Sequence, residues 1–163
     1  MDDISFKILK ILQEKARVPN IEVARRVGMA PSGVLERVRK LEKQGIIDGY
    51  EVRLNPARFD RGLVAFVFIR PQPGSDQTGL GKALAAIEDV QEVHYLSGED
   101  AFMIKVRVAD TSHLEKVRRE KIAGLPQVWS TRTAIALQTY KESARIPLDD
   151  SGIQKRKQKI RRT

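Results

Sequence analysis

The segment from residue 20 to residue 44 constrains this chain more than any other. It contains two short stretches with apolar residues at helical spacing, and Gly28 falls between them. The second stretch carries four cationic side chains, Arg37, Arg39, Lys40 and Lys43. Two short helices joined by such a turn are typical of a helix-turn-helix, whose second helix enters the major groove of DNA. The segment therefore predicts a module that binds double-stranded DNA.

A helix is predicted on the N-terminal side of this segment, over about Asp3–Lys15, because Ile4, Ile8, Ile11 and Leu12 form one apolar stripe. The next helix is predicted to be capped by Asn20 and to end at Gly28, where a left-handed conformation costs little. The residues that it is predicted to bury are Ile21, Ala24 and Val27.

The third helix is predicted to begin at Pro31 and to end at Gly45. Its buried stripe is predicted to be Val34, Val38 and Leu41. Residues 46–53 then alternate in a way that favours a small β-hairpin with Asp48-Gly49 at the turn. Three helices followed by such a hairpin predict a winged helix-turn-helix over residues 1–53.

The charge of the chain is concentrated at its two ends. The formal net charge is +9, with +3 in residues 1–53, zero in residues 54–153 and six cations without an acid in the last ten residues. A neutral middle segment is expected of a domain that binds itself or a small ligand rather than phosphates. The absence of cysteine excludes disulfides, thiolate metal sites and cysteine nucleophiles. No apolar run approaches a membrane span, so we expect a cytoplasmic, nucleoid-associated protein.

After residue 53 the pattern changes to strand–helix–strand–strand–helix–strand. Asn55-Pro56 marks a linker over residues 54–62. The strands are predicted over Leu63–Arg70, Val90–Leu96, Ala101–Val108 and Val128–Tyr140, and the helices over Thr78–Ile87 and Thr111–Ile122. This order predicts an α+β chain with a ferredoxin-like βαββαβ sandwich over residues 63–145, followed by a basic, disordered tail over residues 146–163.

The first strand of this sandwich, Leu63–Arg70, is apolar on both of its faces. The two helices of a ferredoxin-like sandwich cover one face of the sheet only. A second copy of the chain is therefore expected to cover the other face.

Four motifs in this order resemble the leucine-responsive regulatory protein (Lrp/AsnC, feast/famine) family of prokaryotic transcription regulators. They are Asp3-x-x-Phe6-x-Ile8-Leu9, Ala24-Arg25-Arg26-Val27-Gly28, Val34-x-x-Arg37-Val38-x-x-Leu41-Glu42-x-x-Gly45-Ile46-Ile47, and Ser97-Gly98-Glu99-Asp100. The resemblance covers about residues 2–142. It implies an N-terminal winged helix, a C-terminal domain for ligand binding and oligomerisation, and homodimers that assemble into octamers or larger rings. Ala30 and Gly33 depart from the hydroxyl residues usual in the family.

The candidate DNA contacts lie mainly on the polar side of the third helix. Residues near its N-terminus are predicted to meet base edges, and cations further along are predicted to bind phosphates. The first group is Ser32, Gly33, Glu36 and Arg37; the second is Arg39, Lys40 and Lys43. Arg25, Arg26 and Arg53 are candidates for flanking phosphate contacts, and the basic tail is a candidate phosphate-binding arm.

The candidate effector site is the loop between the second and third strands. A free amino acid needs acceptors for its ammonium group and donors for its carboxylate, and a glycine turn beside carboxylates supplies both. A plain hairpin turn explains the same residues, and the family resemblance favours the effector role. The candidates are Gly98, Glu99, Asp100 and Ala101, with Met103 and Thr133 on adjoining strands.

No catalytic, metal or cofactor site is predicted. His94 and His113 are the only histidines, and neither has a partner at the spacing of a metal site or a catalytic triad. The leading hypothesis is a homo-oligomeric, sequence-specific transcription regulator controlled by an amino acid. The alternatives are a DNA-compacting protein without an effector and an enzyme similar to the siroheme decarboxylases.

Overall fold

The computed structural model describes residues 1–148, which divide into two compact units. The first unit is Met1–Arg53 together with the described residues from Ser143 onward, and the second is Leu54–Glu142. The cations of the basic tail lie outside the described residues. Within residues 1–148, no helix has the length and apolar character needed to cross a bilayer.

The first unit contains the three predicted helices. They are α1 (Asp3–Glu14), α2 (Asn20–Val27) and α3 (Pro31–Lys43). Their shared core is Ile8, Val23, Ala24 and Val34, with Val27 and Val38 packed against it. Two short helices packed on a third in this order confirm the helix-turn-helix.

The prediction for the start of α2 is wrong in two details. Asn20 is the first helical residue and Pro19 occupies the N-cap position, so no side chain caps this helix. Ile21 is 70% exposed, whereas Val23 is fully buried. At 100° per residue, Ile21 lies about 200° from Val23, while Val23, Ala24 and Val27 share one stripe. Val23, Ala24 and Val27 therefore face the core, and Ile21 faces solvent.

The hairpin predicted over residues 46–53 is not formed in the structure. The type I′ turn that Asp48-Gly49 predicts requires a positive φ at both residues, and in the structure neither residue has one. The amides of Ile46 and Ile47 instead donate to the Leu41 carbonyl, at 2.9 and 3.3 Å. These bonds close the C-terminus of α3, so the residues continue from the helix as an irregular segment.

The second unit is a four-stranded antiparallel sheet with the predicted order of elements. A 3₁₀ turn at Pro56–Phe59 precedes it. The elements are β1 (Leu63–Pro71), α4 (Gln77–Ala85), β2 (Val90–Tyr95), β3 (Phe102–Val108), α5 (Thr111–Lys116), which continues as a π-helical segment at Val117–Ile122, and β4 (Val128–Ile135). The strand order is β2-β3-β1-β4. The ferredoxin-like βαββαβ topology is therefore confirmed.

The last strand is shorter than predicted. β4 ends at Ile135, which pairs with Ala65, and the Ala136 amide makes a final bond to the Val64 carbonyl at 2.9 Å. β1 extends two residues further, to Val64 and Leu63, but in the strand register only β3 pairs with them, so β4 leaves the sheet before β1 ends. Leu137 and Tyr140, which the sequence pattern assigns to the strand, are exposed.

The strand register gives the sheet two different faces. Ala65, Val67 and Ile69 of β1 lie on the face that packs against α4 and α5, in a core with Leu80, Leu84, Leu114, Ile104 and Val106. Val64, Phe66 and Phe68 lie on the opposite face, which we call the open face. Both faces of the central strand are therefore apolar, as the sequence predicts.

The exposed Ile21 and the buried Val23 provide a direct test of this arrangement of α2. We expect Val23→Ala to lower the free energy of unfolding by about 2 kcal/mol, because it removes two buried methyl groups. Ile21→Ala is expected to change it by less than about 0.5 kcal/mol, because the side chain is in water. Urea unfolding followed by circular dichroism measures both, and the reverse order of effects would mean that Ile21 faces the core.

Candidate functional site

The turn between α2 and α3 sets the start of the predicted recognition helix. Gly28 adopts a left-handed conformation with φ of 70°, and the amide of Met29 donates to the Ala24 carbonyl at 3.0 Å. Ala30 occupies the N-cap position of α3 without a capping side chain, and Pro31 forms the first helical position, where no amide donor is needed. The turn is therefore closed by backbone bonds alone.

The polar side of α3 is exposed over its whole length. The exposed residues are Ser32, Glu36, Arg39, Lys40 and Lys43. Within residues 1–148, the side chains of Arg39, Lys40 and Lys43 form no ion pair. The positive charge on this side of the helix is therefore not neutralised by neighbouring carboxylates.

Gly33 is half-buried at the start of α3. A Cβ atom at this position would lie 3.0 Å from Cε of Met29. The Met29 side chain therefore occupies the space beside the glycine, and a larger residue would require this flexible side chain to move.

Arg37 does not share the exposed position of the other cations. Its Nη1 donates to Asp2 and, at 3.1 Å, to the hydroxyl of Ser5. Asp2 also accepts from the Ser5 amide at 2.7 Å, which caps α1. The backbone hydrogen bond from Ser5, together with the Arg37 guanidinium, lowers the pKa of Asp2 to about 2. In this structure, Arg37 ties α3 to the N-terminus of α1.

The three candidate flanking arginines are all exposed. Arg26 forms an ion pair with Glu22 one turn earlier on α2. Arg25 and Arg53 form no ion pair within the described part of the chain.

The loop predicted to bind an effector connects β2 to β3. Its ends are joined by a bond from the Leu96 amide to the Ala101 carbonyl at 2.7 Å. Gly98 has φ of 129°, a conformation that other residues rarely adopt. Glu99 forms an ion pair with Arg70 of β1, and Asp100 forms one with Arg132 of β4 at 3.0 Å. Both candidate carboxylates are therefore already paired with cations of this chain.

The remaining effector candidates lie on different faces of the sheet. Met103 is paired with Phe68 and with His94, so it lies half-buried on the open face. Thr133 is paired with Val67, on the face covered by the helices, and its hydroxyl is buried without a hydrogen bond in the described structure. Ala101 belongs to the buried core. The structure thus places Met103 on the open face of the sheet and Thr133 on the face that the helices cover.

Other charges on the open face of the sheet are also paired. Glu142 accepts from Lys105, and from Arg107 at 2.9 and 2.8 Å. The hydrogen bond from Lys105, reinforced by Arg107, holds the pKa of Glu142 below its ordinary value. Burial opposes the charge of Lys105, but its bonds to Glu142 and Glu92 outweigh this effect and raise its pKa.

A second charged cluster, which the sequence pattern does not predict, surrounds Asp89. This buried carboxylate is within 3.2 Å of Arg61, 2.9 Å of Lys121 and 3.3 Å of Nε2 of His113. Nδ1 of His113 lies 3.2 Å from the Arg61 guanidinium. The cluster holds the segment before β1 against the sheet, which agrees with a structural role for His113. Within the described residues, no group of three or more His, Asp or Glu side chains is arranged to hold a metal ion.

Arg70 and Arg132 are likewise not among the predicted site residues. Each lies in a strand that the sequence does predict, but their approach to the loop depends on the register between β1 and β4. A lone cation in an alternating strand carries no signal of such a contact.

Two family models match the chain over the two units. A model described as winged helix-turn-helix DNA-binding matches residues 1–48, and the Lrp/AsnC ligand binding domain matches residues 64–146. The chain belongs to the Lrp/AsnC family. It is a DNA-binding transcription regulator with a ligand-binding domain, as the resemblance implies.

Curated and solved members of the Lrp/AsnC family are similar over nearly the whole chain. The leucine-responsive regulatory protein of Escherichia coli K12 is 38% identical over 148 residues, which are 90% of each chain. A transcriptional regulator of Neisseria meningitidis, solved in complex with L-methionine, has a TM-score of 0.87 and 25% identity, covering 91% of this chain and 97% of that chain. A feast or famine regulatory protein of M. tuberculosis, also complexed with L-methionine, has a TM-score of 0.83 and 34% identity, covering 91% and 99%.

The contact between Asp2 and Arg37 predicts a pH-dependent stability. The pKa of Asp2 lies below its ordinary value of 3.8. The contribution of its charged carboxylate to the free energy of unfolding is therefore present above about pH 4 and disappears as the pH falls towards 2. Asp2→Ala is expected to lower the free energy of unfolding by about 1 kcal/mol at pH 7, since the side chain is 54% exposed and solvent screens the ion pair. Urea unfolding at pH 7 and pH 3 measures the difference, which should be smaller at pH 3.

Asp2→Asn is the matched control for this measurement. It keeps an oxygen that caps α1 but removes the charge, so its effect at pH 7 should be smaller than that of Asp2→Ala. An Asp2→Ala effect of equal size at both pH values would contradict the account of the Asp2 carboxylate.

Proposed function

We propose that α3 binds in the major groove of DNA and that its unpaired cations bind phosphates. The observation that carries this proposal is the exposed side of α3, where Arg39, Lys40 and Lys43 have no carboxylate partner within residues 1–148. Ser32, Gly33 and Glu36 lie nearer the helix N-terminus, the end that meets base edges in helix-turn-helix proteins. Arg25 and Arg53 extend the same charge to flanking phosphates.

Arg37 has a different part in this proposal. Its guanidinium is bound to Asp2 and Ser5, so it orients α3 on α1. To contact a base it would have to leave both partners. We therefore assign it a positioning role in DNA binding.

The proposed assembly is a homodimer formed through the open face of the sheet, from which octamers or larger assemblies are built. Phe66 and Phe68 are half-buried on this face and are not covered by the helices of the same chain, whereas Val64 beside them is already buried. A two-fold dimer places two α3 helices in successive major grooves, about 34 Å apart, and favours a pseudo-palindromic site.

The proposed effector is an amino acid bound at the loop of Gly98, Glu99, Asp100 and Ala101, beside Met103. Two members of the family with the same fold are complexed with L-methionine, which makes this amino acid the first candidate. Thr133 would reach such a ligand only from the helix-covered side of the sheet. For regulation, the ligand must bind two arrangements of the protein with different affinities.

This regulator is proposed to act without catalysis, in the cytoplasm and on the nucleoid. His113 is held in the Asp89 cluster, and His94 lies 3.4 Å from Glu92 on the edge strand. These placements support structural roles for both histidines rather than a joint catalytic role.

The phosphate contacts are tested by the salt dependence of DNA binding. The probe is a duplex of about 30 base pairs, three helical turns, selected from a random pool by the wild-type protein. Binding is measured by fluorescence anisotropy over a range of about 50 to 200 mM salt. Arg39→Ala, Lys40→Ala and Lys43→Ala should each weaken binding and reduce the slope of log K against log[salt] by about 0.9 for each phosphate that the variant no longer neutralises.

Lys82→Ala is the control, because it removes the same charge from α4 in the other unit. Its salt slope should equal that of the wild-type protein. Slopes unchanged in all three α3 variants would contradict the proposed interface. Selection that enriches no sequence, with uniform protection in footprinting, would instead favour a DNA-compacting protein.

A further inference from the structure

Two ion pairs fold the loop between β2 and β3 over the neighbouring strands. Glu99 reaches Arg70 on β1, and Asp100 reaches Arg132 on β4. In the sheet order β2-β3-β1-β4, both carboxylates extend past β3, the strand that the loop leads into. Ion pairs therefore anchor the loop to β1 and β4, the two strands that lie furthest in the sheet from β2, where the loop begins.

The two arginines share one face and one end of the sheet. Arg70 pairs with Ser130, and Phe68 pairs with Arg132, so the guanidinium-bearing residues are diagonal neighbours on adjacent strands. Both belong to the open face, because they alternate with Val67 and Thr133 on the covered one. Two cations and two carboxylates therefore meet within one small area.

An apolar floor lies beneath these charges. The guanidinium carbon of Arg132 is 4.1 Å from the centre of the Phe68 ring, and Met103 is the partner of Phe68 on the other side. An aromatic ring and a thioether thus lie next to paired charges of both signs. This combination is complementary to a zwitterion that carries an uncharged, apolar side chain.

We propose that Arg70 and Arg132 bind the α-carboxylate of the amino-acid effector, while Glu99 and Asp100 bind its ammonium group. The ligand thereby replaces the two internal ion pairs with pairs to itself. This inference rests on the proposed function, in which the loop binds an amino acid, and it names the groups that recognise the ligand's main chain.

The exchange is favoured by the chemistry of the internal pairs. Both join exposed or half-exposed side chains, and such ion pairs stabilise a fold only weakly. A guanidinium binds a carboxylate through two parallel hydrogen bonds, a geometry that a free ligand carboxylate can adopt more readily than a side chain on a loop. Ligand binding therefore changes what anchors the loop, at the face where a second copy is proposed to bind.

The specificity that follows is for the two charged groups together. A ligand with only one of these charged groups would take both cations or both carboxylates from the internal pairs and leave their former partners without a counter-charge. The floor of Phe68 and Met103 favours an apolar or thioether side chain, as in L-methionine or L-leucine, over a charged one.

The test is calorimetric titration of the full chain with L-methionine, L-methioninamide and N-acetyl-L-methionine. A thermal-shift screen of the twenty amino acids precedes it; if another one binds more tightly, that amino acid and its amide and N-acetyl forms are used. We expect the wild-type protein to bind the free amino acid at least tenfold more tightly than either blocked form.

The variants Arg70→Gln and Arg132→Gln identify the carboxylate contact. Each is expected to bind the free amino acid at least tenfold more weakly, while its affinity for the amide stays close to that of the wild-type protein. Arg132→Lys keeps the charge but not the two-point geometry. Its affinity for the free amino acid should lie between those of the wild-type protein and Arg132→Gln. Arg119→Gln is the control, because Arg119 is an exposed cation paired with its own neighbour Glu120.

The outcomes separate this inference from the proposed function. Tight binding with full discrimination against the amide in both Arg→Gln variants would show that another group binds the carboxylate, and would overturn the inference alone. A wild-type protein that binds none of the twenty amino acids would overturn both. Circular dichroism of each variant checks that these exposed substitutions leave the fold intact.

Discussion

The pairing of β1 with both β3 and β4 is the constraint on which the ligand-binding unit depends. Side chains alternate across a strand, so a central strand that is apolar at every position must be covered on both faces. Ala65, Val67 and Ile69 are covered by α4 and α5. Val64, Phe66 and Phe68 face the other way, where no helix packs on them; Val64 is nevertheless buried, whereas Phe66 and Phe68 are only half-buried. This asymmetry supports the proposal that a second copy covers the open face, on which the loop carboxylates pair with Arg70 and Arg132.

Charge is distributed differently in the two units, and the difference follows their proposed roles. On α3, three cations point into solvent without a partner in the described structure, as a phosphate-binding surface requires. On the open face of the sheet, Arg70, Arg132, Lys105 and Arg107 are each paired with a carboxylate. The sheet therefore carries paired charges, as the proposed exchange with a zwitterion requires, whereas α3 carries net positive charge.

Periodicity in the sequence is sufficient to predict the order of elements, because each helix and strand carries its own apolar repeat. It fails where a long-range partner decides the outcome. Val23 replaces Ile21 in the core because of how α2 faces the other helices. β4 leaves the sheet after Ile135, and its predicted continuation at Leu137 and Tyr140 is exposed, so those residues gain no burial. The predicted hairpin does not form because the amides of Ile46 and Ile47 bond to the end of α3 instead. The pairs of Arg37 with Asp2 and of Arg132 with Asp100 join residues more than 30 positions apart, and no local pattern encodes them.

Sedimentation equilibrium of the full chain tests most directly whether a second copy completes the open face. The account predicts a wild-type mass of two chains or a multiple of two at micromolar concentration. It predicts a shift towards the monomer for Phe66→Glu, with an unchanged circular dichroism spectrum, because the charge would lie in the proposed contact and not among the residues under the helices. A wild-type chain that stays monomeric at every concentration, or a Phe66→Glu variant with the wild-type mass, would contradict it.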